Sequence, residues 1–331
     1  MLIVAVYHAH EPWLKAGFIG VGMFFVLSGY LITSLLLNEY EKNGRVSLPR
    51  FYMRRALRLM PALWVLVLVT LAATWLWKAD EFPELWRNAV WSVLYVTNWA
   101  RVLGADTGIL THTWSLAVEE QFYLLWPALL WFFAVRGGGR RVFQAALALA
   151  LCSWLWRIVL LERGAGWLRV ACGLDTCFID PMLGCTLAAW LHGREKFCGH
   201  AARALSFLSA AALPALLLIA ALQNGPTEKF YYVGSTAVAV LSALIICDVV
   251  HNPESKLKTL LCWSPLVRLG VISYGMYLWH LVAGYTFMRW AQPSAPVALV
   301  GVITLGITFA VISFHIVERP FLRLKKRFEV R

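Results

Sequence analysis

The sequence predicts an all-α fold, a polytopic bundle of transmembrane helices. Its 331 residues are 60% hydrophobic and only 15% charged, and its mean hydropathy is +0.66. A chain of this composition has too little polar surface to cover a soluble globule of its length. Apolar stretches long enough to cross a hydrocarbon core of roughly 30 Å recur along the whole chain. We therefore expect a single integral-membrane domain over residues 1–331, with no appended soluble domain.

About ten membrane spans are predicted from these apolar stretches. The first is short, because the polar run that starts at His8 follows it almost at once. It lacks the basic start and the small-residue cleavage site of a signal peptide, so we expect it to remain as a helix. The predicted spans cover residues 1–10, 17–37, 60–77, 116–135, 142–161, 178–192, 205–222, 231–250, 266–288 and 297–317.

Residues 88–100 are predicted to be a re-entrant or interfacial segment. If they crossed the membrane, Arg136, Arg140 and Arg141 would lie on the opposite side from the basic residues of 42–58, against the positive-inside rule. Without that crossing, one side holds 21 of the 30 Lys and Arg residues. We expect this side and both termini to face the cytoplasm. The 21 residues lie in the segments 38–59, 136–141, 194–203, 256–268 and 319–331.

This orientation also accounts for the net charge of +12, together with contact between basic loops and anionic membrane lipids. The sequence has no run of interleaved aromatic and basic residues that would indicate nucleic-acid binding, so no nucleic-acid partner is expected. The seven cysteines have no CxxC spacing and are expected to pack as small hydrophobes. No metal site is expected either.

The most polar stretch at the mouth of a predicted span covers residues 111–127 and contains His112, Ser115 and Glu119. Ionisable side chains in a membrane segment cost about 2.5–3.5 kcal/mol each on insertion scales, so they mark functional paths. Ser115 and Glu119 share a helix face, one turn after His112. A carboxylate there can orient an imidazole, as in the His–acid pairs of hydrolases. The alternative is helix capping, with Thr113 or Ser115 as the N-cap and a glutamate near the helix dipole.

Two further histidines are candidate site residues. The His8 imidazole titrates near neutral pH and can act as a general base, although a histidine is also common at an interfacial helix end. His280 follows Ser273 and Tyr277 along one predicted helix, which indicates a polar stripe. That stripe can line a substrate path, or His280 can simply be bonded to a neighbouring helix.

Arg54, Arg55 and Arg58 form an RRxxR pattern on the predicted cytoplasmic side. Arg54 and Arg58 are four residues apart and share a helix face. Guanidinium groups can hold phosphates through two parallel hydrogen bonds, so the pattern is compatible with a phosphate-bearing ligand. The alternative is that these arginines only anchor the topology.

An ordered series of motifs spans nearly the whole chain: the helix-ending His8 and the runs 17–33, 51–61, 112–127, 180–184, 272–280 and 318–320. In this order and spacing, these motifs resemble those of the integral-membrane acyltransferase 3 family.

The resemblance implies transfer of an acyl group, usually acetyl, from cytoplasmic acetyl-CoA to a hydroxyl of an extracytoplasmic or lipid-linked glycan at a bacterial inner membrane. It implies that His8 is catalytic, favours Glu119 over its neighbour, and places the donor at Arg54, Arg55 and Arg58. His8 and His112 are then expected at the outer ends of their helices. The acyl group or the pantetheine arm therefore has to cross the bilayer within the bundle.

Three departures from the family pattern accompany the resemblance. It implies an arginine eleven positions before His8, a position that would precede Met1. It also implies an acidic residue where this chain has Gly22 and an arginine where it has Phe178.

A transporter or permease is the alternative function. Buried His and Glu side chains would then relay protons or bind solute. The absence of an inverted sequence repeat and of paired broken helices counts modestly against it.

Overall fold

The computed structural model describes residues 2–8, 16–292 and 294–328, and all regular structure within these ranges is helical. The all-α prediction is confirmed. The described residues form seventeen α-helices together with short 3₁₀ and π segments. The α-helices are α1 Leu2–His8, α2 Ile19–Asn43, α3 Leu48–Trp77, α4 Phe82–Val93, α5 Thr97–Val102, α6 Thr113–Ala134, α7 Gly138–Glu162, α8 Trp167–Cys172, α9 Leu174–Cys177, α10 Ile179–Leu191, α11 Gly199–Leu222, α12 Ser235–His251, α13 Lys256–Leu261, α14 Ser264–Val271, α15 Ser273–Ala291, α16 Ala295–Ser313 and α17 Arg319–Lys325.

Seven helices of the described part are long and apolar enough to cross a membrane, or eight if a bent pair counts as one span. The predicted number of about ten is not confirmed. Helix α1 has seven residues, too few to span. Helix α6 has a suitable length, but Glu119, Glu120 and Gln121 make its first half polar. Helices α14 and α15, expected as one span, meet at a bend of 68°.

The chain divides into two compact units. Unit 1 consists of Met1–Pro12, Ser47–Gln121 and Leu269–Arg331, and unit 2 of Trp13–Val46 and Phe122–Arg268.

Unit 1 is built around α3, α15 and α16. The apolar side chains of α3, among them Leu63 and Leu66, are fully buried against residues of α4 and α15 such as Leu85 and Leu278. The short α1 packs on the same unit, where Ala5 is buried with Met276 of α15. This packing brings the end of α1 and the start of α15 into one bundle.

Helices α4 and α5 of unit 1 form a hairpin that returns to its starting level. At its entrance, Phe82 packs edge-on against Trp75 near the end of α3, with ring centroids 5.0 Å apart. Near the same level, Arg87 donates to the carbonyl oxygen of Asp106, which follows the hairpin, over 3.4 Å. A segment that enters and leaves at neighbouring points does not cross the bilayer, so this geometry agrees with the re-entrant prediction for residues 88–100.

The tip of the hairpin is Tyr95, a non-glycine residue with φ of 54°. Such a conformation is uncommon outside glycine and requires support from its surroundings. Gln121 supplies that support, because its Nε2 donates to Tyr95 O over 2.7 Å and to Asn98 Oδ1 over 3.0 Å. The amide of Gln121 in α6 thereby holds the tip of the hairpin and its α5 arm.

Unit 2 is organised by a very close approach of α2 and α10. A Cβ added to Gly29 would lie 1.9 Å from the carbonyl oxygen of Pro181, and one added to Gly184 would lie 2.0 Å from that of Val26. No larger residue fits at either glycine without moving a backbone. Small residues at helix contacts are typical of membrane bundles, where close packing replaces the hydrophobic effect.

Candidate active site

Four predicted site residues of unit 1 meet at one point, which we name the histidine cluster: His112, Ser115, Tyr277 and His280. The rings of His112 and His280 lie 5.6 Å apart between centroids, and Tyr277 lies 5.7 Å from His112 and 5.6 Å from His280. Tyr277 donates to the carbonyl oxygen of His112 over 2.6 Å, and its hydroxyl also contacts that of Ser115.

Both imidazoles are hydrogen-bonded to backbone carbonyl oxygens. His112 Nε2 lies 3.0 Å from Leu278 O, and His280 Nδ1 lies 2.6 Å from Tyr277 O. Because a carbonyl oxygen only accepts, each of these nitrogens carries a proton. In the neutral rings the lone pair is then on His112 Nδ1 and His280 Nε2. Each ring therefore has one defined nitrogen for accepting a proton.

The hydroxyls at the start of α6 act as donors to carbonyl oxygens. Thr113 Oγ1 donates to Leu110 O over 2.8 Å, and Ser115 Oγ to His112 O over 3.4 Å. An N-cap side chain would instead accept from a backbone N–H. These contacts do not support capping by Thr113 or Ser115. They tie the first turn of α6 to the segment that carries His112.

Glu119 lies one turn beyond Ser115 and is buried, with 9% of its surface exposed. The neighbouring Glu120 is acted on electrostatically by both Glu119 and Arg55. The polar face of α6 thus continues from the histidine cluster towards the arginines of α3. Sequence analysis favoured Glu119, and the structure adds Glu120 as a second carboxyl group with a cationic partner.

The three arginines of α3, named here the arginine cluster, differ in their surroundings. Arg54 is 8% exposed, and its Nη1 donates to Phe328 O over 2.9 Å. Arg55 lies 5.8 Å from the ring centroid of Phe51. Arg58 is exposed and interacts electrostatically with Glu318. Of the three, Arg58 is the most accessible to a dissolved ligand, whereas Arg54 ties the C-terminal segment to α3.

The first turn of α15 connects the segment of the arginine cluster with the histidine cluster. Tyr274 donates to the carbonyl oxygen of Leu59, the residue after Arg58, over 2.7 Å. Tyr277, three residues further along α15, belongs to the histidine cluster. Three helical residues advance about 4.5 Å along the axis.

Two further predicted site residues, Ser273 and His8, belong neither to the histidine cluster as described nor to the arginine cluster. Ser273 begins α15, and its hydroxyl donates to Gly270 O over 2.8 Å, so it makes a local bond at the helix start. His8 ends α1, and its side chain lies outside the described part of the structure. Tyr7 interacts electrostatically with Arg101, whose guanidinium lies 5.7 Å from the ring centroid of Trp114. The end of α1 is therefore close to the start of α6.

A cleft of about 1060 Å³ opens in unit 1 beside the histidine cluster. It is bordered by the last turns of α3, by α4, by residues 106–111 and by α15 and α16. Thr111 and Trp279, which line it, are the chain neighbours of His112 and His280. The imidazoles of His112 and His280 themselves are buried, 2% and 0% exposed, and lie behind this wall.

Unit 2 contains a buried charge cluster of its own. Arg157 is 1% exposed; its Nε and Nη2 donate to Thr176 O over 3.1 and 2.6 Å, and its Nη1 donates to Ser235 Oγ over 2.5 Å. It also interacts electrostatically with the buried Asp180. A Cβ on Gly22 would lie 3.4 Å from Asp180 Oδ2. An acidic residue at position 22 would therefore stand beside a second carboxylate.

Among the described residues, no group of three or more His, Cys, Asp or Glu side chains is arranged to hold a metal ion.

Residues 1–315 match the family described as the acyltransferase domain. The chain belongs to this acyltransferase family. A peptidoglycan O-acetyltransferase of Listeria monocytogenes serovar 1/2a is 34% identical over 335 residues, covering 97% of this chain and 54% of that protein. An O-acetyltransferase of Staphylococcus aureus is 31% identical over 329 residues, covering 96% of this chain and 54% of that protein. The chain spans about half the length of these relatives. No solved structure matches it.

The structure of this acyltransferase domain places three residues in contacts that no sequence motif indicated: Tyr95, Asn88 and Arg157. Tyr95 at the hairpin tip and Asn88 in the cleft gave no motif, because only the fold places them beside α6 and α15. Arg157 lies in an apolar stretch, where a lone arginine is a detectable signal for a buried partner. Its role beside Asp180 depends on the packing of α7 against α10.

Proposed function

We propose that the chain transfers an acyl group, acetyl in the simplest case, from a thioester donor to a hydroxyl of a cell-envelope glycan. The observation that carries this proposal is the histidine cluster, in which two imidazoles 5.6 Å apart are each oriented by a backbone carbonyl oxygen. Membership of the acyltransferase family supports the reaction type. The names of the relatives, peptidoglycan O-acetyltransferase and O-acetyltransferase, support a cell-wall glycan as acceptor.

In the proposed reaction a histidine accepts the proton of the acceptor hydroxyl while the hydroxyl oxygen attacks the thioester carbonyl carbon. The carbon–sulfur bond then breaks, the thiolate leaves and takes up the proton, and an ester remains on the glycan. His8 is the proposed general base. His112 Nδ1 and His280 Nε2 are oriented for the same type of transfer, and Glu119 stabilises the positive charge that develops on an imidazole.

For the donor we propose acetyl-CoA, held through its phosphates by the arginine cluster. Arg58 is exposed, and Arg55 interacts electrostatically with Glu120 of α6, so the cluster includes an accessible cation. Guanidinium groups bind phosphate through charge-assisted hydrogen bonds. The contact of Tyr274 with the carbonyl oxygen of Leu59 supports this arrangement, because it joins α15, which carries His280, to the helix of the arginine cluster.

We further propose that the protein lies in the bacterial inner membrane with both termini in the cytoplasm. The unequal distribution of Lys and Arg supports this orientation, because 21 of the 30 lie in the segments assigned to the cytoplasmic side. Anionic lipids of the inner leaflet are the proposed partners of the basic loops. The acceptor then approaches from the opposite side, where the ends of α3 and α15 border the cleft.

The test is thioester turnover by the purified full chain in lipid nanodiscs. Acetyl-CoA and a glycan acceptor are supplied, free thiol is measured, and the glycan is analysed by mass spectrometry. We expect acceptor-dependent release of coenzyme A and a glycan heavier by one acetyl group. Release of no thiol with either acetyl-CoA or another acetyl thioester would contradict the proposal and favour a permease.

A further inference from the structure

Residues 314–328, here called the C-terminal segment, lie along the first half of α3 in unit 1. Helix α17 and the short turn after it both pack against α3. The buried Glu318 interacts electrostatically with Arg58. At the other end of the segment, Phe328 O accepts a hydrogen bond from Arg54 Nη1 over 2.9 Å. The C-terminal segment therefore runs antiparallel to α3 and passes both ends of the arginine cluster.

The length of the last apolar stretch places most of the C-terminal segment at the membrane surface. The stretch Pro296–Phe328 has 33 residues, which at 1.5 Å per residue is about 50 Å. About 20 residues are enough to cross a hydrocarbon core of roughly 30 Å. All Asp, Glu, Lys and Arg residues of the stretch lie from Glu318 onwards, so the uncharged part occupies the core. The charged part extends beyond it, where dissolved anions can reach it.

The side chains of the C-terminal segment separate into faces. Three positions spaced i, i+4 and i+7 are buried or half-buried and form the face that packs on α3. They are Glu318, Leu322 and Lys325. Three exposed cations with the same spacing form the next face, shifted by one residue or about 100° around the helix. These cations, which we name the basic face, are Arg319, Arg323 and Lys326.

Little negative charge neutralises the basic face and the arginine cluster. Neither α3 nor residues 319–328 contain an Asp or Glu. The carboxylate of Glu318 is 6% exposed and accepts a hydrogen bond from Ser313 Oγ over 3.3 Å, so it acts on Arg58 from the interior. Cations of one sign on neighbouring elements repel one another and raise the local concentration of anions. A bound polyanion relieves this repulsion.

The exposed apolar side chains of α17 lie on a different side from the basic face. Phe321 and Leu324 are each 38% exposed and are spaced i, i+3, so they share a face. At about 100° per residue, this face lies roughly opposite Arg319 and Lys326. A lipid would need its headgroup and its acyl chains on adjoining surfaces. The separation of the two faces favours a soluble phosphate-bearing ligand at the basic face.

From these observations we propose that the basic face is the second wall of the donor site, where Arg319, Arg323 and Lys326 bind phosphate groups of coenzyme A together with Arg58. The inference rests on the proposed function, because it adds residues to the donor site of that reaction. Coenzyme A carries a pyrophosphate and a separate 3′-phosphate. Cations on two neighbouring elements can hold both groups through charge-assisted hydrogen bonds.

The first experiment measures coenzyme A binding without an acceptor. The full chain in nanodiscs of neutral phosphatidylcholine is titrated by calorimetry at physiological salt. Lys326→Gln should weaken binding roughly fivefold to tenfold. Arg327→Gln is the matched control, because this neighbouring cation is also exposed but lies opposite the face that packs on α3; it should change binding less than about twofold. Equal losses in the two variants would show that only net charge matters and would overturn the proposal.

Inorganic pyrophosphate tests whether the basic face recognises phosphate. It should compete with coenzyme A for the unmodified chain, and Arg323→Gln should weaken the binding of both by a similar factor. Arg323→Lys keeps the charge and should bind both more tightly than Arg323→Gln. Because Arg323 is exposed, both changes should leave the melting temperature unchanged. Absence of competition, or equal losses in Arg323→Lys and Arg323→Gln, would contradict a phosphate site.

Nanodiscs that contain anionic phosphatidylglycerol test a lipid headgroup as the occupant. If the basic face binds lipid instead, phosphatidylglycerol raises the melting temperature of the unmodified chain but not that of Lys326→Gln, and the two bind coenzyme A equally in phosphatidylcholine. That result would overturn the proposal. If the donor phosphates bind there, Lys326→Gln already loses affinity for coenzyme A in phosphatidylcholine.

Turnover assays distinguish failure of this inference from failure of the proposed function. If the unmodified chain transfers acetyl from acetyl-CoA and the basic-face variants keep its KM, the second wall is wrong and the function stands. If the chain uses another acetyl thioester and does not bind coenzyme A, the donor and this site are both wrong while acyl transfer stands. If coenzyme A binds through the basic face but nothing is transferred, the function fails and the phosphate site stands.

Discussion

At the residue scale, the hydrogen bonds of the two imidazoles determine which ring nitrogen of each histidine carries the proton. Backbone carbonyl oxygens hold one nitrogen of His112 and one of His280 as donors, 3.0 and 2.6 Å away. This leaves the opposite nitrogen of each ring as the basic one. A hydrogen bond that selects the tautomer is a common way to prepare a histidine for proton transfer.

We expect His8→Ala and His112→Gln to lose turnover while acetyl-CoA binding stays nearly intact. A general base acts in the transition state and typically contributes about 10²–10⁴-fold to the rate. The glutamine amide can still donate to Leu278 O, so His112→Gln should fold. The measurements are kcat and donor affinity in nanodiscs. His315→Gln is the control, because His315 is exposed and distant in sequence from both clusters; unmodified turnover by His8→Ala would contradict the mechanism.

A second prediction separates the arginines of the arginine cluster. Arg58→Ala should raise the KM for acetyl-CoA roughly tenfold or more, since a hydrogen bond to a charged group contributes about 1.5–3 kcal/mol. Arg54→Ala should instead lower the melting temperature, because it removes a buried bond to Phe328 O. Arg50→Ala, an exposed change on the same helix, controls for net charge. An unchanged donor KM in Arg58→Ala would show that the cluster serves topology alone.

At the element scale, two features organise the helices. The hairpin of α4 and α5 returns to the level at which it began, and the amide of Gln121 holds its tip. In unit 2, Gly29 and Gly184 allow α2 and α10 to touch through their backbones. In both cases a few residues determine where a helix can lie, Gln121 through its amide and the two glycines through the lack of a side chain.

We predict that Gly184→Ala destabilises the protein by about 1–3 kcal/mol or more, because its Cβ would lie 2.0 Å from Val26 O and overpacking of a tight contact has that cost. The measurement is the melting temperature in detergent. Gly270→Ala is the matched control, since nothing lies within 4 Å of the added Cβ and alanine favours a helix over glycine by about 1 kcal/mol. Equal stability of the two variants would contradict the close approach of α2 and α10.

At the scale of the whole molecule, the distribution of basic residues predicts the orientation in the membrane. The segments 194–203 and 256–268 are predicted to lie on the basic, cytoplasmic side, and each contains an exposed free cysteine, Cys198 and Cys262. Their thiols therefore report the side on which these loops lie.

We expect a membrane-impermeant maleimide to label Cys198 and Cys262 only after the cells are permeabilised. A new cysteine at the exposed Asn224 should be labelled in intact cells. Helix α11 separates this position from Cys198 and α12 separates it from Cys262, and each helix is long enough to cross the membrane. The measurement is the mass shift of the purified protein after each treatment. Labelling of Cys262 in intact cells would reverse the predicted orientation.

The sequence by itself determined the class of this protein: a helical membrane domain, with its approximate spans and a family resemblance that the acyltransferase match confirms. These properties follow from local composition, because a backbone in lipid has to satisfy its hydrogen bonds within helices. Only the tertiary structure decided which polar side chains meet. His112 bonds to a carbonyl 166 residues away, and Asn88 and Trp279 border one cleft through the packing of α3, α4 and α15. Hydropathy records whether a residue is buried, but not which helix it is buried against, so the cleft and the histidine cluster came from packing.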